Sequence, residues 1–146
     1  MKQIEYISRS VEETEAIAAR LAKEALLKEK AFVALYGDMG VGKTAFVRGF
    51  CAALGIDGVH SPTYALVNEY CGEATKIYHF DLYRLFDEDD LYAIDFDDYL
   101  EKKAIILCEW SERLGSFLPD GAWCVTVTRT ENENERSILV CKESEQ

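Results

Sequence analysis

The chain is short of the residues that staple, tether or anchor a protein. Two prolines and two histidines stand in 146 residues, and no segment is repetitive or low in complexity. The five cysteines, Cys51, Cys71, Cys108, Cys124 and Cys141, are odd in number and nowhere spaced C-x-x-C. That argues against a disulfide framework and a zinc site, and for a reducing compartment. No apolar run is long enough to span a bilayer, and the start, Met1-Lys2-Gln3-Ile4-Glu5, has no apolar signal core. A cytoplasmic protein is expected. Basic residues are also scarce: 16 Lys and Arg against 27 Asp and Glu give a net charge of −11. This balance argues against broad binding to a nucleic-acid backbone and suits a partner with a basic face. Hydrophobic residues, at 49%, suffice for a single domain over residues 1–146, with the tail frayed from about Lys142.

Set against these absences is one strong motif. Gly37-Asp38-Met39-Gly40-Val41-Gly42-Lys43-Thr44 matches G-x-x-x-x-G-K-[ST], the phosphate-binding P-loop. Ala31 to Tyr36 before it reads as a buried strand. Phe46, Val47, Phe50 and Leu54 after it fall at helical spacing. Strand, glycine loop and helix are the context the motif needs, because loop N–H groups and a helix N-terminus together attract phosphate. Asp38 to Thr44 would cradle the phosphates, Lys43 would reach the β- and γ-phosphates, and the Thr44 hydroxyl would ligate Mg²⁺. There is no N-K-x-D guanine-reading motif, no arginine-rich lid, and neither H-R-D nor D-F-G. ATP is therefore the expected nucleotide.

The remaining pattern predicts a three-layer α/β domain, a P-loop NTPase-like fold with a mixed, mainly parallel central sheet and antiparallel hairpins. Ser10 and Glu13 form a capping box that opens a helix from about Val11 to Lys28. Gly55 stops the P-loop helix. Thr63 to Tyr70 and Ile77 to Leu82 read as a hairpin around Cys71-Gly72-Glu73. Asp87 to Glu101 reads as one or two short acidic helices, and Ala104 to Cys108 as a strand buried on both faces. Pro119-Asp120-Gly121 marks a turn before paired strands at Trp123–Thr128 and Ser137–Cys141.

A P-loop enzyme needs a second carboxylate for its metal, usually at the end of a buried strand. Glu109 closes the Ala104–Cys108 run and is the candidate. Asp81 ends another strand; it either orients a water or is an ordinary acid paired with Arg84, and spacing does not separate the two. Thr63, in Ser61-Pro62-Thr63, reads from the residues alone as the loop before a strand, with a phosphate-sensing switch as the alternative. Trp110 reads as packing rather than as a cover beside the site, His79 as a structural histidine, and His60 as a surface residue.

Taken together, the P-loop, Ser61-Pro62-Thr63-Tyr64, Tyr78-His79-Phe80-Asp81-Leu82-Tyr83-Arg84-Leu85 and Glu109-Trp110 resemble the TsaE (YjeE) family over about residues 5 to 140. The family consists of bacterial ATPases of tRNA threonylcarbamoyladenosine biosynthesis. The resemblance implies ATP hydrolysis with Mg²⁺, docking on a TsaB–TsaD complex, and resetting of that complex between catalytic cycles, with tRNA contacted only indirectly. It assigns the phosphate role to Asp38, Met39, Gly40, Val41, Gly42, Lys43 and Thr44, and the metal role to Thr44 and Glu109. Asp81 would act in catalysis, with Lys43, and Thr63 would lie in a switch-like loop. Trp110, Ser10, Glu13 and Arg136 would border the nucleotide. The chain departs from the family at Met39, Val41, Ala45 and Ser111, none of which supplies a required group. A small-molecule phosphotransferase with Asp81 as base, and a non-hydrolysing regulatory module, are the competing readings.

Overall fold

The computed structural model describes residues 2–38, 40–60, 62, 66–85 and 87–142. Seven strands form one sheet: β1 (Lys2–Ser8), β2 (Ala31–Tyr36), β3 (Val67–Cys71), β4 (Lys76–Asp81), β5 (Ile105–Glu109), β6 (Trp123–Arg129) and β7 (Arg136–Lys142). Their order is β1-β7-β6-β2-β5-β4-β3. The four central strands β6, β2, β5 and β4 run parallel, while β1, β7 and β3 pair antiparallel at the two edges. This is the expected α/β architecture with a mixed, mainly parallel sheet.

Helices cover both faces. On one side α1 (Val11–Ala25) and α2 (Lys43–Ala52) pack over Val33, Leu35, Ile77, Leu107 and Val125. Thr14, Ile17, Ala18, Leu21, Ala22 and Ala25 form the buried stripe of α1, at the 3-4 spacing an amphipathic helix requires. On the other side α3 (Glu88–Ala93), α4 (Phe96–Leu100) and two 3₁₀ turns, Ser111–Arg113 and Gly115–Phe117, cover Phe32, Ala34, Phe80 and Ile106. β2 and β5 lie between the two cores, which is why β5 is buried at every residue and carries no alternation.

Some boundaries differ from the sequence expectation, and one strand lies outside it. The first helix ends at Ala25, since Leu27 and Lys28 bond back to Glu24 and Ala25 in tighter i→i−3 turns and Leu27 points to solvent, 86% exposed. Cys71 belongs to β3, opposite Lys76, so the hairpin turn falls one residue later and Gly72 N–H bonds Thr75 O at 2.8 Å. Lys142 is the last residue of β7, opposite both Lys2 and Trp123, and the rest of the tail expected to fray, residues 143–146, lies outside the described residues. The strand β1 was not anticipated. It adds to β7 through seven register pairs from Lys2↔Lys142 to Ser8↔Arg136.

Candidate functional site

The parallel strands end on one side of the sheet, and the loops that follow them gather there. β2 runs into the P-loop, and α2 begins at Lys43 with Gly42 as N-cap at φ 119°. Only glycine holds that conformation without strain. Gly37, at φ 137°, has a second reason to be glycine: a Cβ there would sit 2.5 Å from Val127 O. The Gly42 cap has no side chain to bond the first-turn N–H groups of α2. Those groups therefore face the cavity at the positive end of the helix.

Three basic groups meet the loop, one from within it and two from the β6–β7 hairpin. Lys43, 5% exposed, donates from Nζ to Gly37 O at 2.6 Å and lies 4.6 Å from the centroid of the Trp110 ring. Arg129 Nη2 donates to Gly40 O at 3.1 Å, and Arg136 Nε donates to Val41 O at 2.8 Å. The two arginines fasten loop carbonyls, which leaves the N–H groups on the other side of the same peptides turned away from them. Arg136 is in turn fixed by the Glu133 and Glu135 carbonyls.

The carboxylates come from β4 and β5. These strands pair in parallel with Asp81 opposite Glu109, so both acids reach the same end of the sheet side by side. His79, two residues before Asp81, points to the same face. Its Nε2 donates to Glu109 Oε2 at 2.6 Å, and both side chains are buried. This bond fixes the Glu109 carboxylate. His79 Nδ1 has no partner among the described residues. Asp81 accepts a 3.0 Å bond from the Tyr83 N–H. Burial raises the Asp81 pKa above its usual value of 3.8, and the neighbouring Glu109 charge adds to the rise, while the Tyr83 bond opposes it. Trp110 takes φ 58° just after β5, and its ring meets that of Tyr83 at a centroid distance of 5.0 Å with the planes tilted by 49°. It packs against the second core, as expected from the residues, and also lines the site cavity.

Two cavities flank the P-loop. One, of about 330 Å³, is lined by Gly40, Gly42, Lys43, Thr44, Asp81, Glu109 and Trp110. The other, of about 450 Å³, is lined by Arg9, Ser10, Val11, Thr14, Asn134 and Arg136 beside the loop. Ser10 and Arg136 thus stand next to the loop. Ser10 also caps α1 by accepting the Glu13 N–H at 3.0 Å, while Glu13 is outside this lining and accepts the Arg9 N–H at 2.7 Å. Val11 offers an apolar surface there, 52% exposed. Asp38 and Thr44 are exposed. Met39 and Thr63 lie outside the described residues, as do Ser61 and Tyr64. His60 is exposed, as expected.

Among the described residues no three His, Cys, Asp or Glu side chains form a closed metal cage. A hard cation here would be held by one hydroxyl, Thr44, and one carboxylate, Glu109, with phosphate and water completing the shell, which is the donor set Mg²⁺ favours. The sequence pointed to Lys43, Thr44, Asp81 and Glu109, and all four line one cavity. It did not reveal the Arg129 contact, which spans 89 residues. The His79–Glu109 bond had a signal, since strand alternation already put His79 on the face of Asp81.

A mainly parallel α/β sheet whose β2–α2 loop carries the glycine motif, with acids at the ends of the neighbouring strands β4 and β5, is a P-loop-like α/β fold. A family model described as threonylcarbamoyl adenosine biosynthesis protein TsaE matches residues 8–138. The chain belongs to the TsaE family, whose role is in tRNA threonylcarbamoyladenosine biosynthesis. It is 35% identical over 139 residues to the tRNA threonylcarbamoyladenosine biosynthesis protein TsaE of Bacillus subtilis, covering 94% of this chain and 85% of that one. It is 46% identical over 109 residues to the protein of the same name from Haemophilus influenzae, covering 71% and 69%. The crystal structure of Bacillus subtilis YdiB superposes with a TM-score of 0.80 at 30% identity, covering 97% of this chain and 86% of that chain. No helix among the described residues is long and apolar enough to cross a membrane.

Proposed function

We propose that this protein binds and hydrolyses ATP with Mg²⁺, and that it does so in association with TsaB and TsaD proteins during threonylcarbamoyladenosine modification of tRNA. The observation that carries the reading is the convergence of Lys43, Thr44, Asp81 and Glu109 on one cavity at the P-loop. The N–H groups of the loop and of the first turn of α2 would receive the phosphates. Lys43 would exchange the Gly37 carbonyl for the β- and γ-phosphates, leaving Trp110 beside the site. Thr44 and Glu109 would hold Mg²⁺, which when bound offsets the charge that builds on the phosphate oxygens. The His79 bond keeps the Glu109 carboxylate from rotating away. Asp81, half-buried and raised in pKa, would orient the attacking water or accept its proton. The cavity beside Ser10, Val11 and Arg136 would take the nucleoside.

The partner reading rests on the family and on charge. A surface of net charge −11 is drawn to a basic face. Calorimetric titration of ATP in the presence of Mg²⁺ tests the binding half of the proposal. Lys43→Ala should weaken binding by about 1.5–3 kcal/mol, the range for a hydrogen bond to a charged group. Unchanged affinity would remove the P-loop from the account.

A further inference from the structure

A third cavity, of about 300 Å³, lies at the opposite end of the sheet, where β2 and β5 begin. Its apolar lining includes Phe32, Leu100 and Ile106. Four lysines surround it: Lys28 and Lys30 from the α1–β2 loop, Lys102 from the α4–β5 loop, and Lys142 from the end of β7. Among the described lining residues Asp120 is the one acid, against the four lysines. Lys142 lies 5.0 Å over the Trp123 ring and Lys102 lies 5.9 Å over the Tyr99 ring. Gly37 follows Phe32 by five residues, along β2 and just past its end, or roughly 16 Å at strand rise. One ligand at the P-loop does not fill both places.

We propose that this cavity binds a nucleoside phosphate, with the base on the Phe32–Ile106 floor and the phosphate among the lysines. Lysines from three separate segments of chain line it. That suits one compact, multiply charged group better than carboxylates spaced along a peptide, and lysine serves phosphate as a point charge. An apolar floor beneath a cationic rim is also how proteins take a flat base together with its backbone phosphate. The volume is at the lower end of the range for small-ligand sites. The nucleoside phosphate is either a free nucleotide or one residue of single-stranded RNA.

The test is a titration of the ¹⁵N-labelled full chain with UMP, and separately with single-stranded oligouridylate, followed by amide NMR. Saturable shifts at Ala31, Phe32, Ile106 and Gly121 with either probe support the site. Tighter binding of the oligonucleotide with a steep salt dependence identifies RNA as the source, and equal affinity of UMP identifies a free nucleotide. The exposed pair Lys30→Glu and Lys102→Glu should weaken that binding at least tenfold, while P-loop amides still respond to ATP as in the parent. Shifts confined to Gly37–Gly42, or a charge-reversed variant that binds both probes as the parent does, would overturn the proposal and leave the P-loop reading intact.

Discussion

At the scale of single residues, Glu109 and Asp81 stand opposite each other but in different surroundings. Glu109 is buried and held by His79, whereas Asp81 is half-buried and held by one backbone N–H. The account gives the first a metal role and the second a water role. Glu109→Ala should lower hydrolysis on the order of a hundredfold while nucleotide binding falls much less, because charge builds mainly in the transition state. Phosphate release and calorimetry on the same variant check this. Asp81→Asn has a second consequence. A carboxyl whose folded pKa is raised binds its proton more tightly in the fold than in the unfolded chain. It therefore favours the folded state at low pH, and that contribution is lost as pH rises from 3.8 through the folded value. At neutral pH the ionised Asp81 is a cost to stability. Asp81→Asn keeps an oxygen for the Tyr83 N–H and removes the charge, so it should raise the melting temperature at pH 7 and have less effect near pH 4. Calorimetric scans at the two pH values check the sign.

At the scale of elements, the seating of α1 against α2 sets the cavity wall that Ser10, Val11 and Thr14 form. The approach is close because Gly49 has no side chain: a Cβ there would run into the backbone of Glu15. Gly49→Ala should therefore destabilise the fold by about 1–3 kcal/mol, as overpacking does, measured by urea unfolding. Elements with a strong local signal were legible in the sequence. β2 and α2 follow from the glycine loop between them, β5 from its unbroken apolar run, and α1 from its capping box. β1 was not legible, because in Gln3-Ile4-Glu5-Tyr6-Ile7-Ser8 the apolar residues do not keep a period of two. Ile4 and Ile7 remain 39% and 41% exposed at the sheet edge. Its place is set by pairing with β7, more than a hundred residues away. The same holds for Arg129 on Gly40. Long-range hydrogen bonds leave no trace in local composition.

At the scale of the whole molecule, the sheet carries acids, P-loop and hairpin arginines to one end and lysines to the other. The net charge of −11 bears on partners rather than on the fold. If a basic face of TsaB or TsaD meets this surface, association should weaken steadily as salt is raised, measured by calorimetry or surface binding. Indifference to salt would place the contact elsewhere. The most direct measurement of the central claim is phosphate release from ATP and Mg²⁺ by the purified protein, alone and with its cognate TsaB–TsaD complex, with Lys43→Ala and Glu109→Ala in parallel. Turnover should rise when the complex is added and be lost in both variants. Turnover that ignores the complex, or that survives in both variants, would contradict that claim.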